Sequence, residues 1–229
     1  MRSIDVDLPG GRVAFSTRQD GVSEGPFESL NLGILTDDVR DRVVRNRMLL
    51  MDDLGLSRVA MGRQVHKTAI REWDTAPEPG AMLGEADGHG TTMRGLGLLV
   101  LVADCLPVAL IGSGRAAMLH CGWRGLAGGI IDKALDSFDE PPAAAIGPGI
   151  GQCCYEVGDE VLAQFSSYDD VASGRMLDLR AVARQQLAAA GVDAIEDVDL
   201  CTSCRADLFF SHRRDNGVTG RQGGIAWLT

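Results

Sequence analysis

The segment LGLLVLVADCLPVALIGSGRAAMLHCGWRG, residues 96–125, holds three apolar runs broken by two short polar interruptions. Leu96–Ala103 is almost continuously apolar, as a strand covered on both faces would be. Val108–Ile111 and Ala116–Leu119 flank Gly112-Ser113-Gly114-Arg115, a turn composition that predicts an antiparallel hairpin. A hairpin within a chain of alternating strands and helices excludes a purely parallel doubly wound sheet. The segment therefore predicts an α/β fold with mixed β-sheets flanked by helices.

Working outward toward the N-terminus, Val59–Val65 and Thr68–Trp73 predict strands, and Arg12–Ser16 predicts the first one. A Gly- and Ser-rich loop through Gly33 follows that first strand. Thr36 then predicts an N-cap with Asp37 and Asp38 in the first turn. Val43, Val44, Met48, Met51 and Leu54 recur at helical spacing, and Gly55 marks the stop. Toward the C-terminus, Leu126–Phe138, Asp159–Phe165 and Asp178–Ala190 predict helices, while Ala143–Ile146, Ile195–Leu200 and Gly224–Leu228 predict strands. The chain has 229 residues, 45% hydrophobic side chains and 8 prolines. It has no repeat and no low-complexity linker, so a single domain spanning 1–229 is expected.

With 22 basic and 32 acidic residues the formal charge is -10, which disfavours nucleic acid as a partner because that binding relies on Lys and Arg to displace counterions. The N-terminal stretch Met1–Asp7 is acidic and has no apolar run, so neither a signal peptide nor a membrane anchor is expected and a cytoplasmic location is. In that compartment the six cysteines read as thiols available for metal binding or catalysis.

Chemistry concentrates at the ends of the apolar runs. His66 follows Val59–Val65, Cys105 follows Leu96–Ala103, and His120 ends the hairpin. A single His at a strand end is ordinarily a structural hydrogen-bonding residue, and a single Cys is ordinarily core. Three of them at strand ends beside loop-forming residues point to one shared site. Two imidazoles and a thiolate suit zinc with a fourth position open. The same residues also suit a Cys105 nucleophile activated by His120, or one copper ion. Four histidines in all, His66, His89, His120 and His212, are too few for a multicopper cluster.

Weaker signals remain. Gly147-Pro148-Gly149-Ile150-Gly151 is neither a P-loop nor a dinucleotide fingerprint and reads as a turn. Cys201-Thr202-Ser203-Cys204 with Cys153-Cys154 lacks the paired spacing of zinc ribbons, which argues against a second metal site. Arg213 and Arg214, after Phe209-Phe210, suit a phosphate or carboxylate, with a solvated surface loop as the alternative reading. Arg42, Arg45 and Arg47 read as a solvated helix face. Asp87 and His89 read as turn residues or as supports for the site.

Taken in order, several motifs together resemble the YfiH family, also called the laccase-domain or polyphenol-oxidase-like family. They are Ser16-Thr17-Arg18, Ser29-Leu30-Asn31-Leu32-Gly33, Asn46-Arg47, Gln64-Val65-His66, Ala86-Asp87, Ala103-Asp104-Cys105-Leu106-Pro107, His120-Cys121-Gly122-Trp123-Arg124-Gly125, Ile146–Gly151, and Phe209–Asp215 through Thr219-Gly220-Arg221. The resemblance covers almost the whole chain. It implies a single-domain α/β fold and a zinc site made by His66, Cys105 and His120. It also implies phosphorolysis of purine nucleosides (adenosine, inosine and methylthioadenosine) with phosphate, and hydrolytic deamination of adenosine. Within that frame Cys105, His120 and Asp87 are the catalytic expectations, and Asn31, Arg47 and Arg213 the substrate-binding ones. The alternatives are a copper-dependent polyphenol oxidase, a Cys-His amidase that edits peptidoglycan precursors, and a non-enzymatic nucleoside-binding module. Lys67, Cys121 and His212 depart from the family pattern, and Cys121 offers a second thiol beside His120.

Overall fold

The computed structural model describes residues 1–78 and 80–229. In chain order its strands are β1 (Ser3–Leu8), β2 (Gly11–Ser16), β3 (Arg58–Ala60), β4 (Ile70–Trp73), β5 (Gly88–Thr91), β6 (Leu96–Val102), β7 (Leu106–Gly112), β8 (Arg115–Cys121), β9 (Ala143–Ile146), β10 (Ala172–Ser173), β11 (Met176–Leu177), β12 (Ile195–Asp197) and β13 (Gln222–Leu228). The helices are α1 (Arg40–Leu54), α2 (Trp123–Ala127), α3 (Ile130–Leu135), α4 (Asp159–Leu162) and α5 (Leu179–Ala189). Strands β10 and β11 form a two-stranded sheet, and of the two larger sheets one runs β1-β2-β13-β6-β3 and the other β12-β9-β7-β8-β5-β4. Both are mixed: β3 pairs parallel with β6 in the first, and β4 with β5 and β12 with β9 in the second, while their other pairings are antiparallel.

The predicted hairpin is β7 and β8, in register from Leu106↔Cys121 to Gly112↔Arg115. Its two loop residues, Ser113 and Gly114, have φ of 51° and 73°, the left-handed pair that matches the natural twist of a two-residue hairpin. Side chains on this ribbon alternate with period two. Val108, Leu110, Ala117, Leu119 and Cys121 face a core formed with α2, α3 and α5. Ala109, Ile111, Ala116 and Met118 face the other sheet, against Val13, Phe15, Leu98 and Val100. Beyond that sheet, Leu99, Ile225 and Trp227 pack with Leu30, Leu32 and Leu50 of the α1 layer. The order of layers is thus helix, sheet, sheet, helix, and the central strands are apolar on both faces because both faces are covered. At Gly224 an added Cβ would lie 2.3 Å from Met118 Cε and 2.6 Å from Pro107 Cβ, so the two sheets meet there through bare backbone.

Several expected elements shift. Helix α1 starts at Arg40 rather than after Thr36, because Thr36 and Asp38 bond elsewhere: the Thr36 hydroxyl donates to Gly33 O, and Asp38 accepts from Ser23 and Asn31. Its inward face is Val43, Asn46 and Leu50, while Val44 and Met48 are exposed. Asn46 faces inward because its amide ties the loop before it, accepting from Val22 N–H and donating to Ser23 Oγ, Ser29 O and Asn31 O. The expected helix over 126–138 is two short ones, divided at Gly129 with φ 77°. The expected strand over 59–65 ends at Ala60, and the chain leaves the sheet to form the loop that carries His66. Strands β1 and β5 had no apolar run to announce them. In β1 every second residue is acidic or polar, and β5 reads Gly-His-Gly-Thr.

Candidate metal centre and substrate pocket

Cys105 stands at the corner between β6 and β7, His120 near the end of β8, and His66 on the loop before β4. One ligand atom from each lies within 4.8 Å of the others, and the two imidazole centroids are 4.8 Å apart. The hairpin brings the first two together, since His120 is opposite Pro107 in register. His66 arrives because Asp87 holds its loop.

Asp87 has no solvent exposure, and its carboxylate accepts hydrogen bonds from the backbone N–H groups of Val65 (3.1 Å), His66 (2.9 Å) and Lys67 (2.9 Å). Those bonds support a left-handed conformation at His66, φ 57°, that is uncommon outside glycine. The same carboxylate meets His120 Nδ1 at 2.8 Å, which leaves Nε2 as that ring's ligand atom. A buried carboxylate behind a ligating imidazole fixes its tautomer and orientation. Asp87, read from the sequence both as a catalytic residue and as a support for the site, is not on the cavity wall and bonds the His66 amide and the His120 ring.

Electrostatics agree with a ligand set. Burial pushes the Cys105 thiol up, but the His120 imidazolium and hydrogen bonds from both imidazoles outweigh it and bring the thiol down to about 6. Burial lowers His120, yet the Cys105 thiolate and Asp87 raise it to about 9. Zinc and copper both take thiolate and imidazole ligands, so the donor set fits a soft or borderline cation without choosing between them. His89 is excluded from the set: it is fully buried, faces the Gly62 amide and the Trp73 indole N–H, and burial holds it near 4.

Cys121 is the neighbouring thiol, but on a strand adjacent side chains point to opposite faces. It sits in the core against Leu126 and Ile130 and is not among the clustered ligands. Burial pushes its thiol well above the usual range. Cys121→Ala is therefore expected to keep full metal stoichiometry and to cost about 1 kcal/mol of stability, the value of one buried methyl-sized group. Elemental analysis beside thermal denaturation checks this, and loss of metal would make Cys121 the ligand.

The cluster opens on a cavity of about 490 Å³, the size of a small-molecule site. Arg47 and Arg213, both expected to bind substrate, are on its wall. Arg47 is anchored to Leu32 O through Nε and Nη2, and burial lowers it to about 10. Arg213 donates Nη1 to Glu156 O, lies over the Tyr155 ring and gives its backbone N–H to Asp104. Asn31 is not on that wall. It is fully buried, its amide donating to Thr36 and Asp38 and its carbonyl accepting from Gly33 and Arg221 N–H. It positions Gly33 and Arg221, which do line the cavity.

Several wall residues had no role assigned from the sequence, Gln64, Tyr155 and Arg221 among them. Gln64 clamps β6 by bonding both Leu101 N–H and Leu101 O at 2.7 Å. Tyr155, raised to about 12 mainly by burial, keeps its hydroxyl proton. Arg221 adds its guanidinium to those of Arg47, Arg63, Arg124 and Arg213 on the wall. Only membership of a motif (Gln64 beside His66, Arg221 closing Thr219-Gly220-Arg221) could have pointed to two of them.

A family model described as multi-copper polyphenol oxidoreductase laccase matches residues 12–229. A purine nucleoside phosphorylase of Xylella fastidiosa (strain Temecula1) is 37% identical, covering 98% of this chain and 95% of that protein. The purine nucleoside phosphorylase YfiH of Escherichia coli (strain K12) is 36% identical, covering 96% and 94%. The crystal structure of Neisseria meningitidis protein NMB0706 superposes with a TM-score of 0.89 at 33% identity, covering 100% of this chain and 99% of that one.

Proposed function

This chain belongs to the family described as multi-copper polyphenol oxidoreductase laccase, which takes in YfiH and its phosphorylase-named relatives, and from that membership we propose a zinc-dependent purine nucleoside phosphorylase. Adenosine, inosine and methylthioadenosine are its substrates with phosphate, and adenosine is also deaminated hydrolytically in the same pocket. The observation that carries this reading is the convergence of His66, Cys105 and His120 within 4.8 Å on a cavity whose wall holds Arg47, Arg213 and Arg221.

His66, Cys105 and His120 would hold the zinc ion, which when bound supplies Lewis acidity at the cavity floor. Phosphorolysis joins an anion to the sugar carbon as the base departs, so it requires fixed positive charge beside the ribose. Arg213 and Arg221 supply it, as planar donors suited to two phosphate oxygens. Trp123, on the same wall, offers an aromatic face for the purine. Tyr155 donates its retained proton to a substrate oxygen or ring nitrogen. His120, held by Asp87, keeps one orientation through turnover. We take residues 1–229 as the catalytic unit and a reducing cytoplasm as its location. Its six cysteines are all free, and among the described residues no helix is long and apolar enough to cross a membrane.

One copper at the same three ligands would be the oxidase reading. With four histidines in the chain and His89 enclosed in the core, the set supports at most one such ion. Product analysis decides. Adenosine incubated with metal-quantified protein is expected to give adenine and ribose phosphate only when phosphate is present, and inosine without it, with both lost on chelation. No conversion by folded, zinc-loaded protein would sink the nucleoside reading.

A further inference from the structure

Sequence spacing argued against a second metal site, yet the fold brings four more thiols together. Cys153 and Cys154 lie on a turn closed by Cys154 and Tyr155 N–H to Gly151 O, and Cys201 and Cys204 on a turn closed by Arg205 N–H to Cys201 O. A parallel bridge, Gly149↔Cys201, sets the turns face to face. The four sulfurs lie within 4.8 Å of one another. Cys204 Sγ is 3.5 Å from Cys153 Sγ and 3.4 Å from Cys154 Sγ.

These separations choose between two fates for the thiols. A disulfide needs sulfurs ~2.05 Å apart, and no pair among the four is bonded. Four thiolates at ~2.3 Å from one zinc ion define a tetrahedron with edges of roughly 3.8 Å, which falls within the observed spread. The Gly151 amide N–H points at Cys201 Sγ from 3.2 Å, a contact that favours the thiolate. At Gly151 a Cβ would stand 3.3 Å from Cys201 Cβ on the facing turn, so the bare glycine lets the two turns close. We propose that Cys153, Cys154, Cys201 and Cys204 form a second metal centre, a tetrathiolate site for zinc that staples the two turns.

The staple reaches the first site through one residue. Thr202, between two of the thiols, donates its hydroxyl to Asp104 Oδ1 at 2.7 Å, and Asp104 precedes Cys105 in a left-handed conformation, φ 90°. Arg214 Nη1 binds Thr202 O, and Arg213 N–H binds the other Asp104 oxygen at 2.7 Å. A metal on the four sulfurs therefore fixes the loop that positions both Cys105 and Arg213. This role does not depend on which reaction the pocket performs.

Cadmium titration of the reduced full chain tests the proposal, read by thiolate-to-metal charge-transfer absorbance and by 113Cd NMR. In His66→Ala/His120→Ala, one equivalent of cadmium is expected with the shift of a four-sulfur site. Cys153→Ser/Cys204→Ser is expected to lose that resonance and one equivalent relative to wild type. Equal stoichiometry and absorbance in wild type and Cys153→Ser/Cys204→Ser would overturn it. If that variant does not fold, absence of a four-sulfur resonance in His66→Ala/His120→Ala overturns it alone.

Discussion

Cys105→Ser is expected to lower kcat/KM for adenosine phosphorolysis by about 10³-fold, about 4 kcal/mol of transition-state stabilisation, while the protein keeps its fold. The thiol is the one anionic donor among the three clustered ligands, and its surroundings bring it down to about 6. A serine hydroxyl in the same place stays protonated at any working pH and is a poor donor to zinc or copper. The fold survives because the sulfur borders the cavity rather than a core cluster. Kinetics with elemental analysis and thermal denaturation on one preparation check the result. Wild-type turnover in a variant that has lost its metal would remove the metal from the reaction, and retained metal with lost turnover would make Cys105 a nucleophile instead.

What the residue pattern conveys, and what it does not, follows the range of the interactions concerned. The β7–β8 hairpin was legible because a two-residue turn and period-two alternation are local, and they also place His120 and Cys105 at one end of the ribbon. Helix α1 was legible as a helix but not in its facing. Val44 and Met48 sit at helical spacing yet are exposed, while the polar Asn46 turns inward to serve four partners on the preceding loop. Asn31 lies off the cavity wall for a related reason. Its side chain is occupied by Gly33, Thr36, Asp38 and Arg221, the last 190 positions away in the chain. Parallel pairing of β12 with β9 brings two cysteine turns together across some fifty residues, and no spacing rule for local motifs anticipates that.

Asp87→Asn tests the residue on which the first site's geometry rests. The carboxylate accepts from three consecutive backbone amides and meets His120 Nδ1, all acceptor work that an ionised Asp performs with two oxygens. An asparagine has one carbonyl oxygen and one NH₂. Whichever way it is turned, a donor faces a donor, either at the 65–67 amides or at the imidazole. Leaving such groups unmatched in a site with no solvent exposure costs about 1–3 kcal/mol. Loss of the orienting carboxylate should weaken metal binding by roughly 10–100-fold. The acid limb separates this role from plain packing. Burial raises Asp87, but the His120 and amide hydrogen bonds outweigh it and hold the group below its usual value. The stability it contributes is full above the unfolded carboxylate range and is lost as pH falls through the lower folded value. Wild type should therefore lose stability on acidification more steeply than Asp87→Asn, whose deficit narrows toward low pH. Competition with a chromogenic chelator gives the affinity and urea unfolding across pH gives the slope. Unchanged affinity together with parallel pH profiles would show that the histidines are held by something other than Asp87.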